Sequence, residues 1–225
     1  MGDYSFLGFS EPFSSISHFL GAIVCLFYFR PLWRTARGHL GHRIAVAIFC
    51  GATVLLLLLS GLFHLLPNGT SAKILFQRLD HAAIFILIAG TFTPLHSILF
   101  RGRLRWIPLV VIWTIAIAGI VLKEVFFSQI PELLSVSIYI GMGWLGIFSA
   151  FFIYLHWGFN LVVPLLKGAL AYSLGSIIDL LHKPILLPGI FGPHELFHIA
   201  VLIGVTYHWK FIHEVALSAS LPIEK

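Results

Sequence analysis

The sequence predicts an all-α, polytopic membrane protein, folded as a single seven-transmembrane helix bundle over residues 1–225. Three observations predict this fold. Only 10% of the residues are charged, whereas a soluble domain carries roughly 25%. The mean hydropathy is +0.97. Apolar runs of about 18–23 residues, long enough to cross a bilayer as helices, fill most of the chain.

Polar or helix-breaking stretches delimit each span in turn. The first span follows Pro12 and ends at "RTARGHLGHR"; the second ends at "PNGTSAKILFQR" and the third at "RGRLR". The next three end at "KEVFFSQIPE", "HWGFN" and "HKPILLPGIFGP". The predicted spans are 13–33, 44–66, 80–100, 104–122, 133–155, 159–180 and 194–214. The third break is tight and the fifth is short, so six or eight spans are the alternatives to seven.

The net charge of +5 does not indicate a nucleic-acid partner, because the basic residues stand singly or in threes in short loops. Cys25 and Cys50 fall inside apolar runs, where a small buried side chain is expected rather than a disulfide. The amino-terminal segment lacks a basic region, so we expect no cleavable signal peptide, with the first span acting as the insertion signal.

The count of seven spans places polar residues from distant parts of the chain on one side of the membrane, called here the amino-terminal side. A polar residue within a span costs roughly 3 kcal/mol on insertion scales and indicates a functional site. The residues that converge on this side are Glu11, Ser17, His18, Ser60, His64, Asp80, His81, Asp179, His182, His194, Glu195 and His198. Their convergence predicts a polar site near one membrane face.

The run "HELFH" suggests that this site binds metal. His194 and His198 are four residues apart and therefore share one helix face. His64 can complete a three-histidine Zn²⁺ site, in which the metal acidifies a bound water. Asp80 could hold that water and accept its proton. Ser60, four residues before His64, could orient the water or stabilise an oxyanion.

The same five letters also match the zinc-protease pattern H-E-x-x-H, in which Glu195 would be the general base. That pattern requires a third ligand after the second histidine. The candidates are His208, His213 and Glu214, which lie at least about 15 Å further along the helix. A protease site is therefore the weaker interpretation. Glu195 is instead either a bystander or one of four candidates to support the ligands, together with Glu11, Ser17 and His18. Asp179 and His182 are interpreted as helix-end and loop residues.

These motifs resemble the hemolysin III family, the bacterial relatives of the progestin and adipoQ receptors, within a superfamily that includes the alkaline ceramidases. The resemblance covers almost the whole chain. "EPFSSISHFLGA" matches the first motif through Glu11, Ser17 and His18, although Ser14 replaces the usual Asn. Asp179 stands where the bacterial family has an aromatic residue. The other matches are Ser60, His64 and Asp80 for the second motif, and His194 and His198 for the third.

The resemblance implies Zn²⁺ held by His64, His194 and His198, with Asp80 contacting the metal-bound water and Ser60 beside it. It also implies that Glu195 is dispensable. The leading hypothesis is a zinc-dependent membrane hydrolase that cleaves a lipid amide, such as a ceramide-like molecule, with membrane lipid as its substrate. The alternative is a non-enzymatic receptor or stress sensor, or a pore-forming hemolysin, with structural zinc. Whether the chain is an enzyme stays open.

The expected location is the bacterial inner (plasma) membrane, but two arguments give opposite orientations. The receptor branch has a cytoplasmic amino terminus. The positive-inside rule instead places the carboxyl terminus in the cytoplasm, because basic residues prevail on the side opposite the site. That side holds Arg30, Arg34, Arg37, Arg43, Arg101, Arg103, Arg105, Lys210 and Lys225, against Lys73, Arg78, Lys123 and Lys183 on the amino-terminal side.

Overall fold

The computed structural model describes residues 10–36, 39–187 and 191–218. Eight helices cover most of these ranges: α1 (Pro12–Thr35), α2 (Leu40–Leu65), α3 (Ser71–Leu99), α4 (Arg103–Val125), α5 (Glu132–Trp144), α6 (Gly146–Trp157), α7 (Phe159–Leu181) and α8 (Pro193–Ser218). Within the described ranges the only β pairing is one isolated bridge, Leu187 to Phe191. The predicted all-α membrane bundle is confirmed. Arg37, Lys225 and the amino-terminal segment without an expected signal peptide lie outside the described residues.

Most helices extend the predicted spans by a few residues, and the third and fifth spans differ more. α3 begins at Ser71, well before residue 80, because the hydroxyl of Thr70 accepts a hydrogen bond from the amide of Lys73 at 3.2 Å and caps the helix. The predicted span 133–155 is divided into α5 and α6 at Leu145. Leu145 itself keeps right-handed helical angles, so the two helices form one membrane-length segment.

Six segments of the described chain are long and apolar enough to cross a membrane: α1, α2, α3, α4, α5 with α6, and α7. α8 is equally long, at 26 residues. Its apolar run is diluted by charged and imidazole side chains, namely His194, Glu195, His198, His208, Lys210, His213 and Glu214. The last helix therefore depends more on its neighbours than the others do.

Neighbouring helices pack together in chain order from α1 to α4, and α7 packs against α8. α8 also contacts α1, α2 and α3, which closes the bundle. Close approach of α7 and α8 requires small residues. A Cβ at Gly175 would lie 2.5 Å from that of Ala200, and one at Gly204 would lie 2.6 Å from the ring of Tyr172. This contact brings the start of α8 beside the ends of α2 and α7.

Candidate metal centre

The start of α1 is bound to the end of α2 by hydrogen bonds. The amide of Glu11 donates to the carbonyl of His64 at 3.1 Å. The hydroxyl of Ser15, which is buried, donates to the carbonyl of Gly61 at 2.9 Å. These contacts satisfy backbone groups at the end of α2 and place the Glu11 side chain beside the ring of His64.

Three imidazoles meet where α2 and α8 approach one another. His64, His194 and His198 each offer one ligand nitrogen, and these atoms lie within 4.8 Å of one another. His64 and His198 are 2% and 1% exposed, whereas His194 is partly exposed. The Nε2 atoms of His194 and His198 are 3.1 Å apart. This group could hold a metal ion.

Each of the three histidines has its Nδ1 atom in contact with a different side chain. Nδ1 of His64 lies 2.5 Å from Oε2 of Glu11. Nδ1 of His194 lies 3.1 Å from Oδ1 of Asp179, and Nδ1 of His198 lies 2.7 Å from Nε2 of His18. A partner at Nδ1 fixes the ring orientation and leaves Nε2 as the metal-binding atom. The rings of His64 and His194 therefore have the carboxylate support that is usual for metal-binding histidines, and His198 has an imidazole in its place.

Glu11 contacts more of this centre than any other carboxylate described here. Burial favours a raised pKa for Glu11, but the hydrogen bond and charge of His64, with the charges of His194 and Lys73, lower the pKa to about 2. Lys73 is buried, and its Nζ lies 3.5 Å from Oε1 of Glu11. The Glu11 carboxylate is thus an anion at neutral pH, shared between an imidazole and a buried ammonium group.

Asp80 and Ser60 lie beside the histidines. The hydroxyl of Ser60 is near enough to the carboxylate of Asp80 to act as a donor to it, and Asp80 is close enough to His194 for their charges to interact. Ser60 is buried and Asp80 is partly exposed. Asp80 therefore stands at the edge of the centre, outside the group of three ligand candidates.

Two of the predicted supporting residues have other contacts. Oε2 of Glu195 accepts a hydrogen bond from the amide of Gly192 at 2.8 Å. Glu195 is the third residue of α8, so this bond is the capping-box contact that satisfies a free amide at a helix start. The hydroxyl of Ser17 donates to the carbonyl of Ser14 in its own helix at 3.0 Å. Of the first motif, Glu11 and His18 contact the histidines and Ser17 does not.

Sequence reasoning missed two neighbours of this centre, Asp179 and Lys73. Asp179 is in the last turn of α7, as expected of a helix-end residue, yet it also contacts His194. Its predicted place on the amino-terminal side, with the histidines, was the feature of the sequence that could have indicated this contact. Lys73 precedes the predicted third span, so the sequence predicts that it lies in a loop. The longer α3 instead brings its side chain to Glu11.

An apolar cavity of about 150 Å³ extends through the bundle between α3, α5, α6, α7 and α8. Tyr139 lines the cavity on the side of the candidate metal centre, and its hydroxyl lies 3.4 Å from the carbonyl oxygen of His81, the residue after Asp80. Phe197, the neighbour of His198, and His208 also line the cavity. Phe197 and His208 are about 16 Å apart along α8 at 1.5 Å per residue. The cavity therefore runs from the level of the centre toward the opposite side.

Comparison with known proteins gives consistent matches. The family model described as "Haemolysin-III related" matches residues 7–209. A Bacillus cereus protein named "Hemolysin-3" is 37% identical over 199 residues, which cover 86% of each chain. A "Hemolysin-3 homolog" of Bacillus subtilis (strain 168) is 33% identical, over 86% of this chain and 88% of that protein. "Progestin and adipoQ receptor-like protein 1" of Caenorhabditis elegans is 26% identical, over 93% of this chain and 55% of its own.

Proposed function

The chain belongs to the haemolysin-III-related family, and from the geometry of its histidine centre we propose that it is a zinc-dependent hydrolase of the bacterial plasma membrane. Its substrate is a membrane lipid with an amide bond, of the ceramide type. The observation that carries this proposal is the position of Asp80, which stands beside three converging imidazoles without being one of the group.

The donor set supports zinc. Three imidazole nitrogens fit the preference of Zn²⁺ for nitrogen ligands, and a tetrahedral ion held by three protein ligands keeps one position for water. Glu11 and Asp179 contribute two negative charges behind the rings of His64 and His194. These two charges balance the double positive charge of a divalent cation.

When bound, the metal ion would supply Lewis-acid activation of water and of the amide carbonyl. The carboxylate of Asp80 accepts the proton of the attacking water and returns it to the leaving amine. Ser60, which is near enough to act as a donor to the carboxylate, keeps it in place. Glu11, Asp179 and His18 hold the three rings, so the ligands need no rearrangement when the metal binds.

The cavity supports a lipid substrate. Its lining is almost entirely apolar, with residues such as Leu87, Ile147 and Val201. An apolar cavity of about 150 Å³ is large enough to bind a molecule of benzene size, so it fits part of an acyl chain. Tyr139 and Phe197 line the cavity at the level of the candidate metal centre. A lipid whose acyl chain enters the cavity with its polar end on this side would place the amide toward Asp80.

The test is hydrolysis of short-chain ceramides by the purified protein in detergent, with zinc content measured on the same samples. We expect turnover by the wild type, loss of turnover with retained zinc in Asp80→Asn, and loss of both in His194→Ala. Wild-type protein that retains zinc but hydrolyses no lipid amide would contradict the hydrolase proposal.

The name of the Bacillus cereus relative, "Hemolysin-3", makes membrane permeabilisation the second candidate, with the metal as a structural element. Ion flux in liposomes distinguishes the two functions. Flux that depends on the protein but is unchanged in Asp80→Asn would favour the pore. A receptor or stress sensor would show neither turnover nor flux.

A further inference from the structure

Two buried polar atoms on α1 lack a hydrogen-bond partner within the described part of the chain: Oγ of Ser14 and Nδ1 of His18. Ser14 is 0% exposed and His18 is 2% exposed. The two residues are four apart, so their side chains lie on the same face of α1, one turn from each other. Buried polar groups of this kind are normally satisfied by protein or by an ordered water, because a buried group left unpaired destabilises the fold.

The direction of the hydrogen bonds follows from the metal-binding atom of His198. If Nε2 of His198 binds the metal, its Nδ1 carries the proton and donates to Nε2 of His18, 2.7 Å away. A neutral His18 that accepts at Nε2 carries its own proton on Nδ1. This Nδ1 atom therefore needs an acceptor, and Ser14 Oγ is the unpartnered oxygen one turn away.

We propose that His18 is a positioning residue that fixes the metal-binding tautomer of His198, and that a buried water linking Nδ1 of His18 to Oγ of Ser14 fixes His18 in turn. His64 and His194 are held directly by carboxylates. His198 is instead held by uncharged groups of α1: the imidazole of His18 and, through the proposed water, the hydroxyl of Ser14. The inference rests on the proposed metal binding and is independent of any hydrolase activity.

The test measures Zn²⁺ affinity by competition with a chromophoric chelator, and coordination geometry from the visible spectrum of the Co²⁺ form. We expect His18→Ala to weaken Zn²⁺ binding 10- to 100-fold and to alter the Co²⁺ spectrum. His18→Gln, whose amide oxygen can accept from His198, recovers most of the affinity. Ser14→Ala lowers affinity about two- to tenfold.

Ser14→Asn gives the sharpest result, because its longer side chain can reach His18 Nδ1 without water and keeps wild-type affinity. The matched control is Ser17→Ala, since that hydroxyl bonds only to its own helix; its affinity and spectrum should equal those of the wild type. Unchanged affinity and spectrum in both His18→Ala and Ser14→Ala would overturn the inference. Wild-type protein that binds no metal would instead overturn the proposed function.

Discussion

Glu195 and Asp80 are two carboxylates near the same histidines, and their contacts give them different roles. The Glu195 carboxylate accepts the amide of Gly192 and caps α8. Asp80 lies near the hydroxyl of Ser60 and interacts electrostatically with His194. Distance along the chain is misleading here, because Glu195 adjoins a metal-ligand candidate and Asp80 does not. The direction of each side chain decides what it does.

We expect Glu195→Gln to retain zinc and any hydrolase activity, because a glutamine oxygen can accept the same amide hydrogen bond. Glu195→Ala should lower stability by about 1 kcal/mol through loss of the helix cap, with zinc content unchanged. Zinc analysis and thermal unfolding in detergent measure both effects. An inactive Glu195→Gln variant that still holds zinc would restore the general-base role of a zinc protease.

Asp179→Asn should weaken Zn²⁺ binding about 10- to 100-fold, because the amide removes the negative charge behind His194 and binds the ring less strongly. Chelator competition measures this change. Glu132→Gln is the matched control, since it removes one negative charge from the first turn of α5. Equal affinities in the two variants would mean that Asp179 is only a helix-end residue.

At the scale of helices, the packing of α7 against α8 determines whether His194 and His198 reach His64. The close contact at Gly175 and Ala200 lies within two helical turns of His194 and His198 and sets the distance between the two helices. A bulky side chain there would separate α7 from α8 and move the histidine pair. The metal centre thus depends on residues that never touch it.

Gly175→Leu should destabilise the protein by about 1–3 kcal/mol through overpacking, and should also lower zinc content. Thermal unfolding with metal analysis measures both. Gly141→Ala is the control, because a Cβ at Gly141 meets no atom within 4 Å, and it should be neutral or stabilising by up to about 1 kcal/mol. Comparable losses in both variants would contradict a specific role for the α7–α8 contact.

The sequence predicts the helices and the side of the membrane on which their ends lie, but it does not predict all the contacts between those ends. Apolar periodicity and span parity predicted the bundle, and they placed His64, His194 and His198 on one side. The contact of Asp179 with His194 was missed because the loop between α7 and α8 has no periodic pattern from which to derive its path. Lys73 was missed because polar residues lower the hydropathy of the first turns of α3, although a Thr70 cap makes them helical.

For the whole molecule, the candidate metal centre joins the first and last described helices, α1 and α8, to α2. His64 on α2 and the pair on α8 supply the ligand candidates, and Glu11 and His18 come from the beginning of α1. A bound ion would therefore link α2 to α8 directly and α1 to both. Its effect on unfolding should extend to the entire bundle.

Removal of zinc by a chelator should lower the stability of the bundle, by about 2.7 kcal/mol relative to protein kept at a free zinc concentration of 100 times Kd. Thermal unfolding midpoints with and without added Zn²⁺ measure this change. His194→Ala is the control and should unfold at the same temperature in both conditions. A wild type that is equally insensitive would mean that the histidines do not hold zinc.

Orientation is the remaining property of the whole molecule. The excess of arginine at the ends of α1 and α3 and the starts of α2 and α4 predicts a cytoplasmic carboxyl terminus and a centre that faces outward. A reporter active only in the cytoplasm should give signal at the carboxyl terminus and none at the amino terminus. The reverse result would give this chain the orientation of the receptor branch.

The limited apolarity of α8 has a consequence for biosynthesis. During translation, α8 leaves the ribosome after the other helices, so His194 and His198 are the last ligand candidates to arrive. α8 is not among the six segments of the described chain that are long and apolar enough to cross a membrane. It is accommodated against α1, α2, α3 and α7, which are already in place. Metal binding by the three histidines would therefore require that α8 has been made and packed, and a chain arrested before α8 would keep His64 without His194 and His198.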